Sequence, residues 1–186
     1  MTFLFRVNQK ILAEPLFSYP FPLRSNAVFY MQARRFSPNE APVDAVIENL
    51  VYVMNCMMED EQQCSRGIGF IIDLSDCKMH HFGVGYFHKL MMAVQGRKLP
   101  TRVEMFLLVN QPSWFANMWG AVIKPMLHKD FREKTQRINF HDLKKFLAPD
   151  SEQFLPTEIY SGKASSDLIV KSFIDERKFL EADRFY

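Results

Sequence analysis

The chain has 186 residues, enough for one domain with short appendages and for a sizeable buried core, which leaves no room for a second catalytic domain. Lysine plus arginine number 23 against 21 aspartate plus glutamate, a balance that excludes wholesale coating of nucleic acid and makes any anion recognition local. Phenylalanine (18) and methionine (11) are abundant, yet no apolar run approaches the roughly 20 residues of a membrane span, so this apolar mass must fill a core or line an adaptable cavity.

Residues 1 to 25 carry Pro15, Pro20 and Pro22 among aromatics and predict an extended, apolar lead-in; the terminal Met1-Thr-Phe-Leu-Phe-Arg6 is too short for a secretion signal. Ala27-Val-Phe-Tyr-Met-Gln32 reads as a first strand, followed by a loop at 34 to 38. Val43, Val46, Ile47, Leu50, Met54 and Met57 then recur at the three-and-four spacing of a helix that frays in Glu59-Asp60-Glu61. Ile68 to Ile72, ending in Asp73, is a short continuous apolar run, the pattern of a strand buried on both faces and paired in parallel. Phe82 to Gln95 shows Phe87, Leu90, Met91 and Val94 at helical spacing and closes on Gly96, and Val103 to Val109 is a second buried strand. Strand, helix, strand in this order predicts an α/β fold, a mostly parallel sheet with flanking helices.

After Pro112 the apolar residues Trp114, Phe115, Met118, Trp119, Val122, Ile123, Met126 and Leu127 return as adjacent pairs every four residues. That stripe is broader than a one-face core contact needs, and basic residues follow it: Lys124, Lys129, Arg132, Lys134, Arg137, Lys144 and Lys145. Arg137 to Phe140 predicts a last short strand and Asp142 to Leu147 a short helix. Ser161 to Ser166 reads as a linker to a charged amphipathic tail capped by Ser166 or Asp167 and carrying Leu168, Ile169 and Phe173.

Catalytic and metal signatures are weak. Gly83-Val-Gly85 lacks the third glycine of a phosphate-binding fingerprint, position 88 being His, and no nucleophile elbow or Walker-type loop occurs. Cys77, His80, His81 and His88 lack the paired spacing of a zinc site, and Cys56, Cys64 and Cys77 are odd in number and fit reduced thiols in a cytoplasmic setting. No metal and no cofactor is expected.

The run Leu99 to Phe115 with its Val-Asn-Gln-Pro, then Trp119, Lys124-Pro125 and Leu127, resembles the CRAL-TRIO family of lipid-binding and lipid-transfer proteins. Arg137-Ile138, Leu155-Pro156-x-Glu158 with Gly162, and upstream Ile71-Ile-Asp73-Leu are similar to that family's closing strand, ending and central strand. The likeness covers about residues 27 to 162. Cys77 stands where the family has Gly, Leu99 where it has Tyr, the stretch from 124 to 137 is longer by a few residues, and the family's amino-terminal helical module has no counterpart in residues 1 to 25. The organisation expected is a lead-in over 1–25, a CRAL-TRIO-like lipid-binding domain over 26–162 and a charged amphipathic tail over 163–186.

The resemblance implies a parallel sheet flooring an apolar pocket under a movable helical cover that touches membranes, with residues 112 to 127 at or beside the cover. Expected ligand-lining residues are Phe70, Ile72, Phe106, Leu108, Trp114, Phe115, Met118, Trp119, Val122 and Ile123. Lys124, Lys134 and Arg137 are the expected head-group or membrane contacts. The expected function is non-catalytic: to hold a hydrophobic lipid of the phosphoinositide, tocopherol or retinoid class and exchange it at membranes, in a cytoplasmic, peripherally membrane-associated protein that binds no nucleic acid. The competing reading is a protein-interaction module that kept the fold with a filled or lost pocket; a small α/β hydrolase ranks third.

Overall fold

The computed structural model describes residues 27–36, 39, 42–59, 67–96, 102–146, 157, 162–163 and 165–182. Four parallel strands lie in their sequence order, β1 (Ala27–Gln32), β2 (Ile68–Asp73), β3 (Val103–Val109) and β4 (Thr135–Arg137). Every residue of β2 is buried, as its unbroken apolar run requires when strands flank it and layers cover both faces. The proposed lead-in over 1–25, Cys64 and the Leu155-Pro156-x-Glu158 motif apart from Thr157 lie outside the described residues.

Crossovers supply the layers. Helix α1 (Val43–Met57) joins β1 to β2, and α2 (Val84–Gln95) joins β2 to β3. One core cluster packs these helices on one sheet face, through Val46, Leu50, Leu90, Met91 and Val94 over Phe29, Phe70, Ile72, Phe106 and Leu108. The opposite face buries a smaller cluster of Val28, Tyr30, Ile71, Leu107, Val109 and Leu143, the last from the 3-10 turn Phe140–Lys145. Alternate residues of each strand thus divide between two cores, the period of two that strands impose.

The strand ends are tied by polar side chains. Asp73, buried at the end of β2, accepts hydrogen bonds from the Tyr30 hydroxyl (3.1 Å), the Asn110 side-chain amide (2.9 Å) and the Ser75 backbone N–H (2.9 Å). Asn110 has a φ of 54°, the left-handed region that Asn tolerates better than other side chains, and this turn brings its amide to Asp73. Gly67, entering β2, has φ 76°, and a Cβ there would meet the Arg102 carbonyl oxygen at 2.6 Å. Gly67→Ala therefore combines strain with a backbone clash. A loss of more than about 1 kcal/mol in urea unfolding is expected, and an unchanged midpoint would contradict this account.

Several local expectations shift. Helix α2 starts at Val84, two residues later than the apolar pattern, after a 3-10 turn at Met79–His81. Gly96 closes it at φ −76°, so glycine is needed there for a different reason than a left-handed cap: a Cβ would lie 2.6 Å from the Met92 carbonyl oxygen. Strand β4 begins two residues earlier than expected and ends at Arg137, and Asn139 starts the following 3-10 turn. The loop expected at 34 to 38 opens with a 3-10 turn at Ala33–Arg35.

The stripe after Pro112 is not one regular helix. It runs as α3 (Phe115–Met118), a π-helical turn (Trp119–Ile123) and α4 (Lys124–Met126). Apolar pairs every four residues drift around an α-helix of 3.6 residues per turn; the wider π turn absorbs the surplus and keeps Phe115, Trp119 and Ile123 on one side. Helix α5 (Lys129–Lys134) then buries Phe131 and leads into β4.

Helix α6 (Ser166–Ala182) is the expected amphipathic tail. Its N-cap lies earlier than expected, at Ser165, whose hydroxyl faces the Leu168 N–H at 3.5 Å. Val170, Phe173 and Ile174 join the larger core, and Tyr52 of α1 donates a 2.7 Å hydrogen bond to Glu181.

Candidate functional site

The helix-covered sheet face is the floor of an apolar cavity. Alternate residues of all four strands form it: Phe29 and Met31, Phe70 and Ile72, Phe106 and Leu108, and Thr135. Register brings Met31, Ile72 and Leu108 side by side in the middle of that floor. The walls come from Val46 and Leu50 of α1, from Tyr86, Phe87, Leu90, Met91 and Val94 of α2, and from Phe36, Leu74, Cys77, His81, Phe82 and Gly83 at one end. Phe115, Trp119, Ile123, Leu127 and Phe131 close the remaining side. Among these residues none is a lysine, arginine, aspartate or glutamate.

The cavity measures about 90 Å³, below the roughly 300–1,000 Å³ of a drug-sized ligand site. Aromatic contacts narrow it: Phe70 lies between Phe29 (5.3 Å between centroids) and Phe106 (5.6 Å), and Phe106 also meets Phe131 (5.1 Å). A larger guest requires a wall to move.

The 115–126 segment is held at both ends by side-chain hydrogen bonds. At its start the Trp114 indole N–H donates to the Cys77 carbonyl (3.3 Å). At its end the Gln95 side chain donates to the Met126 carbonyl (3.2 Å) and accepts from the His128 N–H (2.5 Å). Between those ties it shows Ala116, Asn117, Gly120, Ala121, Lys124 and Pro125 to solvent, so it covers the cavity as a single layer.

Of the residues expected to meet a ligand, Phe70, Ile72, Phe106, Leu108, Phe115, Trp119 and Ile123 line the cavity. Trp114, Met118 and Val122 do not. The first two are half-buried against the main core, and Val122 is half-buried, because successive helical residues point about 100° apart and only one member of each apolar pair faces inward. Phe29, Met31 and the α2 residue Tyr86 line the cavity although the sequence reading did not single them out. Tyr86 stands four residues before Leu90, on the same helical stripe, and that spacing was its available signal.

The expected head-group cations lie apart from the cavity lining. Lys134 donates to the Val103 carbonyl (2.7 Å), Arg137 donates to the Gln111 side chain (2.5 Å) and stacks 5.8 Å from the Trp119 ring centroid, and Lys124 is exposed. Arg137 thus braces the outer side of a residue that lines the cavity.

The two described thiols are held protonated. Burial pushes the Cys77 thiol up to about 11, and Cys56 likewise to about 11, so both stay protonated at neutral pH. Among the described residues no group of three His, Cys, Asp or Glu side chains could hold a metal, and no helix is long and apolar enough to cross a membrane.

A parallel sheet under an apolar cavity, closed by a strap of broken helix, defines an α/β container for a hydrophobic molecule. The CRAL/TRIO domain family matches residues 23–157, well over half of the chain, and the protein belongs to this family of lipid-binding domains, whose members are generally non-catalytic. Among solved structures the fold is similar to that titled "Crystal structure of Sfh5", at 14% identity and a TM-score of 0.60, covering 91% of this chain and 67% of that one. No curated protein matches the sequence.

Proposed function

We propose that the protein takes one lipid-like molecule into the cavity and exchanges it at membrane surfaces without catalysing a reaction, as a cytoplasmic, peripherally associated protein. The observation that carries this reading is that the described lining, drawn from four strands and from the helical layer above them, holds no lysine, arginine, aspartate or glutamate. Burial of a hydrocarbon chain there contributes about 0.8 kcal/mol per CH2, and the protonated thiols argue for storage over chemistry. Outward swing of the 115–126 segment about its Trp114 and Gln95 ties supplies the missing volume, and exposed Lys124 gives that strap a cation for an anionic surface.

The resting volume of about 90 Å³ favours one competitor, an interaction module whose Phe and Met side chains have filled the pocket. Native mass spectrometry and organic extraction of the purified protein separate the two. A bound lipid, or uptake from vesicles of a neutral and anionic phospholipid mixture, is expected; neither co-purified lipid nor uptake would leave the filled-pocket module.

A further inference from the structure

We propose that the molecule held in this cavity is a neutral lipid ending in one oxygen function, an alcohol or a carbonyl, and that the Tyr86 hydroxyl hydrogen-bonds that oxygen. This rests on the container reading above and narrows it to a ligand class. The Tyr86 hydroxyl oxygen is shielded from solvent and has no hydrogen-bond partner among the described residues, and its residue lines the cavity. A buried hydroxyl left without a partner costs free energy, and a cavity wall is where a guest can supply one. The ring is held in place by an edge contact with Phe36, 4.3 Å between centroids at 72°. Burial raises the phenol well above its ordinary value, so it remains an O–H donor.

His81 lines the same cavity a few residues earlier. Its Nδ1 accepts the Lys78 backbone N–H at 3.1 Å, which leaves Nε2 as the protonated nitrogen, and burial with the nearby His80 and Lys78 keeps the imidazole neutral. Two residues of the lining, Tyr86 and His81, thus carry neutral groups able to donate a hydrogen bond. A phosphate or carboxylate would find no lysine or arginine among the described lining residues, and Lys134 and Arg137 are engaged by Val103 and Gln111. The chemistry recognised is therefore an uncharged acceptor oxygen on an apolar body.

The test uses the full chain, its tryptophan fluorescence (Trp119 lines the cavity) and three matched probes: farnesol, the hydrocarbon farnesene and farnesyl phosphate. Tyr86→Phe is expected to weaken farnesol about tenfold, to leave farnesene unchanged, and to melt no lower than the parent, since it deletes an unpartnered group. Farnesyl phosphate is expected to bind at least about tenfold more weakly than farnesol. Equal losses for farnesol and farnesene, tighter binding of the phosphate, or a lowered melting point of Tyr86→Phe each overturns the assignment. Extraction of a bound lipid bearing phosphate or carboxylate also overturns it while leaving the container reading standing. If no lipid is extracted and none of the three probes binds, the container reading falls and takes this one with it.

Discussion

Ile72→Trp is expected to abolish lipid uptake while leaving a folded protein. Ile72 sits at the middle of the cavity floor, in register with Met31 on one side and Leu108 on the other, and all three face the cavity. An indole in place of the sec-butyl group adds bulk comparable with the cavity of about 90 Å³, so it occupies the space from which a ligand would begin to displace the 115–126 strap. Overfilling of this kind costs about 1–3 kcal/mol, less than most domains have in reserve. Co-purified lipid measured by extraction should fall to below about a tenth of the parent level while the cooperative melt persists. Unchanged lipid content would place the ligand elsewhere on the molecule.

Arg177→Met is expected to produce the largest loss of stability, about 3–5 kcal/mol. Arg177 on α6 is buried and grips Glu59 through two hydrogen bonds, 2.7 and 3.0 Å, and Glu181 at 3.3 Å. The Glu59 side chain is 43% exposed, so water screens its share; the Glu181 side chain is 7% exposed and would keep its charge indoors without the guanidinium. Methionine preserves the length and apolar stem of the arginine, which isolates the loss of charge. Urea unfolding checks the magnitude, and the double variant Arg177→Met with Glu181→Met should recover part of the loss because the buried carboxylate that lost its cation is gone. A double variant as unstable as the single one would show that packing of the stem is what matters.

These two sites differ in how far the sequence foretells them. Ile72 is legible: a continuous apolar run ending in Asp73 predicts a strand buried on both faces, and the likeness to the CRAL-TRIO family places that strand under a pocket. Asp73 and Asn110 were also visible as motif residues. Their job was not, because it depends on β2 and β3 ending side by side, where one carboxylate can collect donors from Tyr30, Ser75 and Asn110. Arg177 looked like one charge in a mixed tail. Its burial follows from α6 packing on α1, where Tyr52 meets Glu181, 129 positions apart in the chain.

The chain alone encodes the order and type of the elements, since periods of two and near 3.6 are local properties of side-chain spacing. It also determined that the strap after Pro112 would be broad and apolar. Which member of each apolar pair enters the cavity was decided by how the segment seats over the sheet, with Phe115, Trp119 and Ile123 turned inward and Trp114, Met118 and Val122 outside the lining. The cavity's volume, its single-layer cover and a Tyr86 hydroxyl without a partner among the described residues arise only when the layers pack. A void is the small difference between the space enclosed by several layers and the side-chain volume filling it, and no local pattern encodes that difference.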